Sequence, residues 1–187
     1  MITIVSGLPR SGTSLMMQIL EKGGMDILTD HVRQADAHNE KGYYEYEKVK
    51  SIRKDNLWMK EADGKAVKII TQLLPYISPD HEYAVLYMIR PLEEILRSQK
   101  RMRENLTNPG KSVDREVLEQ SYARQVQQVQ HWMENHPKIR TLYLFYPEVL
   151  NHPLKKAKEI QSFLQVELNI EAMASAVDVG LWHQKTS

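Results

Sequence analysis

Apolar residues fall along this chain in two alternating kinds of pattern. Four short runs, Ile2–Ser6, Ala66–Ile70, Tyr83–Ile89 and Arg140–Tyr146, carry β-branched or aromatic residues on consecutive positions. Such runs read as strands buried on both faces, the kind found at the centre of a parallel sheet. Between them the period changes to that of a helix. Ser14–Lys22 is helical and ends at Gly23-Gly24, a plausible C-cap. Tyr46–Ala62 reads as a helix with Val49, Ile52 and Leu57 on its inner side, and Leu92–Met102 as one with Leu92, Ile95 and Leu96 inside. The longest helix is expected from Asp114 to Asn135, where Leu118, Tyr122, Val126, Val129 and Met133 form one stripe before Pro137 closes it. Pro153 suits a first helical position, followed by Leu154, Ala157, Ile160, Phe163 and Leu164 on the buried face, and a last short helix is expected after Asn169.

Strand and helix thus alternate over the whole length. The expectation is a single α/β domain over residues 1–187, with a right-handed, doubly wound, mainly parallel sheet flanked by helices. The chain has 187 residues, enough for a sheet covered on both faces. Its formal charge of +1 gives no reason to expect nucleic acid or a membrane surface as partner. No cysteine is present, so disulfides and thiolate metal sites do not arise. No apolar run nears the ~20 residues of a membrane helix, and the first strand starts at residue 2; a cytoplasmic protein is the expectation.

The first strand runs into Gly7-Leu-Pro-Arg-Ser-Gly-Thr-Ser14 and a helix opens at once. A loop so placed aims several backbone N–H groups and the positive end of a helix at one point, which makes a phosphate cradle. Gly7 and Gly12 stand at the spacing of a nucleotide-binding loop, but Thr13 occupies the usual lysine position and the cation sits earlier, at Arg10. A plain strand-to-helix turn would not need two glycines, Pro9 and Arg10. Arg90 ends the third strand, on the same sheet edge as the cradle, and Ser98 follows eight residues on. Together they can hold a second phosphate. Two polar segments, Thr29–Gly42 and Asn105–Ser112, follow strand–helix units and are the best loop candidates for a ligand.

The first loop resembles the 5′-phosphosulfate loop of sulfotransferases, and Arg90 with Ser98 resembles that family's 3′-phosphate motif at the same spacing. Leu142–Leu150, Pro153 and Ser162-Phe-Leu164 resemble its later strand, acidic turn and helix, while Asn39–Glu45 and Lys65–Lys68 are similar to segments of bacterial members. The resemblance implies a P-loop-like fold and 3′-phosphoadenosine 5′-phosphosulfate (PAPS) as sulfate donor to a hydroxyl or amine of a small molecule or glycan. It implies that Pro9, Arg10, Ser11, Gly12, Thr13, Ser14, Arg90 and Ser98 bind this cofactor, with Arg10 also stabilising charge on the leaving group. Glu45 is the implied general base, because Gly42-Tyr-Tyr-Glu45 is similar to a segment that carries one in some members; His31, Asp36 and His38 stand in reserve. Lys68 would stabilise the transferring sulfuryl group. No metal is expected, since neither Arg90 nor Tyr146-Pro147-Glu148 supplies the strand-end aspartate of a magnesium site.

Three departures accompany the resemblance. Ile70 stands where small-molecule members have a histidine, Leu15 stands where a tryptophan commonly stacks on adenine, and only Lys185 answers the family's late basic segment. Two rivals therefore stay open: an ATP- and magnesium-dependent small kinase, and a non-catalytic nucleotide-binding relative. The arginines and lysines of Arg97–Arg103 read as a solvated helix face, and Trp58, Trp132, Trp182 and the Met16-Met17 pair as packing.

Overall fold

A computed structural model of the chain describes residues 1–30, 32, 42–104 and 115–177, with the backbone alone at 102–104. His31, Asp36, His38, Trp182, Lys185, the Asn105–Ser112 loop and most of the Thr29–Gly42 loop lie outside the described residues. Four strands form one sheet in the order β2-β1-β3-β4, where β1 is Ile2–Gly7, β2 Ala66–Lys68, β3 Tyr83–Ile89 and β4 Ile139–Phe145. Every pairing is parallel, with Ile4 opposite both Val67 and Val85, and Leu86 opposite Leu142.

The period of two along these strands sorts their side chains into two cores. Ile2 and Ile4 of β1, Val67 of β2 and Tyr83, Val85 and Tyr87 of β3 face one core. Val5, Ala66, Ala84, Leu86 and Met88 face the other. The second core is covered by α1 (Thr13–Lys22) and, after β4, by α4 (Tyr146–Asn151), α5 (Pro153–Leu164) and α6 (Ile170–Ser175). The first is covered by α3 (Arg115–Glu134) and by three 3-10 turns, Glu47–Ser51, Leu57–Ala62 and Thr71–Tyr76. Helices on both faces of a parallel sheet make the α/β architecture that the alternation of patterns implies.

Several elements differ from the sequence expectation. Tyr46–Ala62 is not one helix but two 3-10 turns with a break between them. Lys54 and Asp55 both donate their N–H to Ser51, and the Asp55 carboxylate accepts from the Leu57 N–H at 3.0 Å, which closes the first turn and starts the second. The shift in phase turns Leu57 outward, 77% exposed, and buries Trp58 and Met59 in its place. In the same way Leu154 lies on the outer face of α5, 45% exposed, while Ala157, Ile160 and Leu164 carry the burial. The long stripe of α3 is fully buried only at Val129 and Met133, its carboxyl end. β4 pairs with β3 alone among the described strands, so it is an edge strand in which Leu144 is buried and Phe145 is exposed, not a central one. The acidic turn expected after it is the helix α4, with Pro147 at a position where no N–H is needed.

β1 is the strand at which the chain reverses direction, with β2 on one side and β3 on the other. The connections after β1 and β3 diverge there and leave a crevice beyond the carboxyl ends of the strands. That crevice is where the glycine-bracketed loop and Arg90 meet.

Candidate functional site

The loop after β1 is shaped by three residues at positive φ: Gly7 at 152°, Arg10 at 74° and Gly12 at 100°. Ser11 donates its N–H to the Leu8 carbonyl at 3.0 Å, closing a turn with Pro9 and Arg10 at its centre. A fixed φ at Pro9 followed by a positive one at Arg10 is the arrangement of a type II turn, where the second central position normally favours glycine. Arg10 is therefore held in a backbone conformation that costs about 1 kcal/mol or more. Gly7 has no room for a side chain, since a Cβ there would come within 2.3 Å of Ser11 Oγ and 2.7 Å of the Met88 carbonyl. A Cβ on Gly12 would press to 2.4 Å from the Tyr146 ring. Gly12 also opens α1 without any side-chain cap, so the first N–H groups of the helix are left to point into the crevice. Ser11 is 1% exposed, and its hydroxyl is buried on the inside of the loop with no hydrogen-bond partner among the described residues.

A second cluster comes from β3, α2 (Leu92–Glu104) and the start of α4. Arg10 Nε donates to Ser98 Oγ at 2.9 Å, and Arg90 Nη1 donates to the carbonyl of Arg10 at 3.1 Å. The two anchors read from the sequence are thus in direct contact. Arg90 Nε also donates to Glu94 Oε2 at 2.9 Å, in an ion pair whose side chains are only 7% and 1% exposed. The guanidinium lies over the Tyr146 ring, 4.4 Å from its centroid. Burial raises the pKa of the Tyr146 phenol, an effect that Arg90 and Arg10 oppose and Glu94 reinforces.

The third cluster stands on the far side of the loop. Lys68, at the end of β2, donates to the Tyr43 carbonyl, and the same carbonyl accepts from Ser14 Oγ at 3.3 Å. Lys68 Nζ is also 3.8 Å from Glu45 Oε1, with the lysine side chain 7% and the glutamate 26% exposed. The backbone of Glu45 is held from behind, its carbonyl accepting from Thr29 Oγ1 at 2.8 Å. Tyr44 adopts a φ of 51°, and its phenol donates to Glu21 on α1 at 2.5 Å. Burial, followed by the Glu21 carboxylate, raises the pKa of that phenol.

Every described residue singled out from the sequence therefore lies in one of these three clusters, with Arg10 directed to Ser98 and Lys68 to Tyr43 and Glu45. Three participants were not singled out. Glu94 had a signal, since a charge four residues after an arginine on a helix start is a candidate pair. Tyr146 and the Tyr43 carbonyl had none, because only the folded chain brings them to the loop. Among the described residues no group of three or more His, Cys, Asp or Glu is arranged to hold a metal ion, and no helix is long and apolar enough to cross a membrane.

A parallel sheet with a glycine-bracketed loop at the reversal strand, leading straight into a helix, defines a P-loop-like α/β fold. Within that class the chain belongs to the sulfotransferase domain family, whose model matches residues 2–179. Among solved structures it is similar to mouse sulfotransferase SULT7A1 complexed with PAP (TM-score 0.53, 16% identity, covering 94% of this chain and 62% of that one). It is also similar to the sulfotransferase domain of the Synechococcus PCC 7002 olefin synthase (0.57, 16%, 97% and 78%) and to that of the curacin biosynthetic pathway (0.55, 15%, 91% and 76%). At these identities the likeness is one of fold, and the chain spans 62% of the length of the mouse protein. No curated protein matches it in sequence.

Proposed function

We propose that the protein transfers a sulfuryl group from 3′-phosphoadenosine 5′-phosphosulfate to a hydroxyl or amine of a small-molecule or glycan acceptor. The observation that carries this reading is the contact of the two anchors: Arg10 bonded to Ser98, and Arg90 bonded to the Arg10 carbonyl. A site for one terminal phosphate chain would need only the loop. A cation, Arg90, brought from the end of β3 to the side of the loop suits a ligand with anionic groups at two separate places.

The residues fit such a cofactor. The Ser11 hydroxyl is buried with no partner among the described residues, inside a loop that has no space for a Cβ at Gly7, as suits an anion cradle. Backbone N–H groups from Ser11 to Ser14, with the Thr13 and Ser14 hydroxyls, would hold the 5′-phosphate end, and Pro9 fixes the turn that presents them. Arg90 and Ser98 would hold the 3′-phosphate. Arg10 would stabilise charge growing on the leaving side, through a guanidinium already fixed by Ser98. When bound, the cofactor supplies an activated sulfuryl group for in-line displacement.

On the acceptor side the chemistry belongs to Glu45 and Lys68. Glu45 would take the proton of the attacking hydroxyl or amine on a carboxylate oxygen. Lys68, 3.8 Å from that carboxylate, would offer positive charge to the group in transfer, the role that metal ions share in phosphoryl transfer. With Ile70 in the place of the family's histidine, the base comes from a different segment.

Calorimetric titration with 3′,5′-adenosine bisphosphate, ADP and ATP, each with and without Mg²⁺, tests the reading. Charge-assisted hydrogen bonds contribute ~1.5–3 kcal/mol each, so two of them predict a preference for the bisphosphate of about 100-fold or more, independent of metal. Tighter binding of ATP with Mg²⁺ would instead make the protein a kinase. Tight bisphosphate binding with no transfer to any acceptor would make it a non-catalytic relative.

A further inference from the structure

Glu94 is the most deeply buried charged residue among those described, and it takes no part in the chemistry proposed for the site. Its presence there is costly on two counts. A carboxylate loses its hydration on burial, and a negative charge beside a phosphate site repels the ligand. A residue that works against anion binding by charge must favour it by geometry, if it favours it at all.

The geometry is that of a three-sided hold on Arg90. An arginine offers five N–H donors in one rigid plane. Here Nε is given to Glu94 at 2.9 Å and Nη1 to the Arg10 carbonyl at 3.1 Å, while the Tyr146 ring covers one face of the plane at 4.4 Å. Nη2 has no protein partner among the described residues. The Pro91 carbonyl accepts from the N–H groups of both Glu94 and Ile95, which ties the first turn of α2, and Glu94 with it, to the residue that follows Arg90. The carboxylate and the guanidinium are therefore fixed to one another by both side chain and backbone.

We infer that Glu94 is a positioning residue for the second anion: by engaging Nε it fixes the guanidinium of Arg90 so that its Nη2 edge is kept for a 3′-phosphate. This rests on the cofactor reading above. Without the Glu94 carboxylate only the Arg10 carbonyl and the Tyr146 ring hold Arg90, Nε is released, and the ligand must supply the remaining order.

The test compares 3′,5′-adenosine bisphosphate with adenosine 5′-monophosphate, which lacks the second phosphate, by calorimetry on the wild type, Glu94→Gln, Arg90→Ala and the double variant. The wild type is expected to prefer the bisphosphate by about 100-fold, and Glu94→Gln to reduce that preference by about tenfold or more while leaving monophosphate affinity within about threefold. In the Arg90→Ala background the glutamine should change nothing further. Glu94→Asp keeps the charge but withdraws it by one methylene; it should lose the same preference, and carries the test if the glutamine variant does not fold. An increased preference in Glu94→Gln would mean that the carboxylate acts only as a repelling charge, an unchanged one that it has no part in the anion site, and in either case the inference would fall. An equal loss of affinity for both ligands would reduce Glu94 to a structural residue and overturn it as well. If the wild type itself shows no preference, the cofactor reading fails and this inference goes with it.

Discussion

Arg10 and Glu45 show how single residues at this site depend on backbone shape. Arg10 sits at a φ of 74°, in a turn position that glycine would occupy more easily, and the strain is offset by what its side chain reaches. Glu45 follows Tyr44, itself at a φ of 51°, and is held by a carbonyl bond to Thr29 and an ion pair with Lys68. Its proposed role as base makes a sharp expectation. Glu45→Gln should leave bisphosphate affinity within about threefold and lower the rate of transfer by about 10²-fold or more, the usual contribution of a general base. Single-turnover sulfate transfer, measured beside calorimetric binding, checks this; a variant that transfers at the wild-type rate would remove Glu45 from the chemistry. Much of this level is legible in the sequence, because Gly7, Pro9, Gly12, Arg90 and Ser98 follow local rules of turn, helix start and spacing. Tyr146 and the Tyr43 carbonyl are not legible, since their contribution exists only once distant segments are packed together.

At the scale of elements, legibility follows how strongly each period is imposed. β3 has the boundaries its apolar run implies, because both of its faces are buried and every position is constrained. The segment from Tyr46 to Ala62 misleads because a 3-10 turn and an α-helix differ by a fraction of a residue per turn, and the bond from Leu57 N–H to Asp55 resets the phase. The correction has a measurable consequence. Met59 is fully buried and Leu57 is 77% exposed, so Met59→Ala should cost about 2–5 kcal/mol of stability and Leu57→Ala less than about 0.5 kcal/mol. Urea unfolding of the two variants decides the matter: a single helix with Leu57 inside would reverse the order.

The whole molecule is a sheet between two cores, and the core on the α3 side is built around Tyr83 and Tyr87. Burial raises the pKa of both phenols above their ordinary value of 10.0, with Asp80 adding to it at Tyr83, while at Tyr87 a bond with Thr71 opposes it and Tyr143 reinforces it. The native state therefore binds protons that the unfolded chain releases first. The stability this supplies is complete below about pH 10 and is lost as the pH rises beyond the unfolded value toward the native ones. The urea midpoint should stay level through neutral pH and fall steeply above about pH 10, and Tyr87→Phe should make that fall shallower. A midpoint that stays flat to about pH 11 would contradict it.

The contact between Gly12 and the Tyr146 ring joins the first loop of the chain to the residue that follows the last strand. The loop, though encoded in one short motif, is thus closed in at Gly12 by the ring of a residue far along the chain. A partly folded molecule in which β4 has not docked can hold β1 and α1 and still lack a finished cradle. Affinity for the proposed nucleotide bisphosphate would then work as an assembly gauge: in a mixture of folded and half-folded molecules, it would count those in which the sheet is complete.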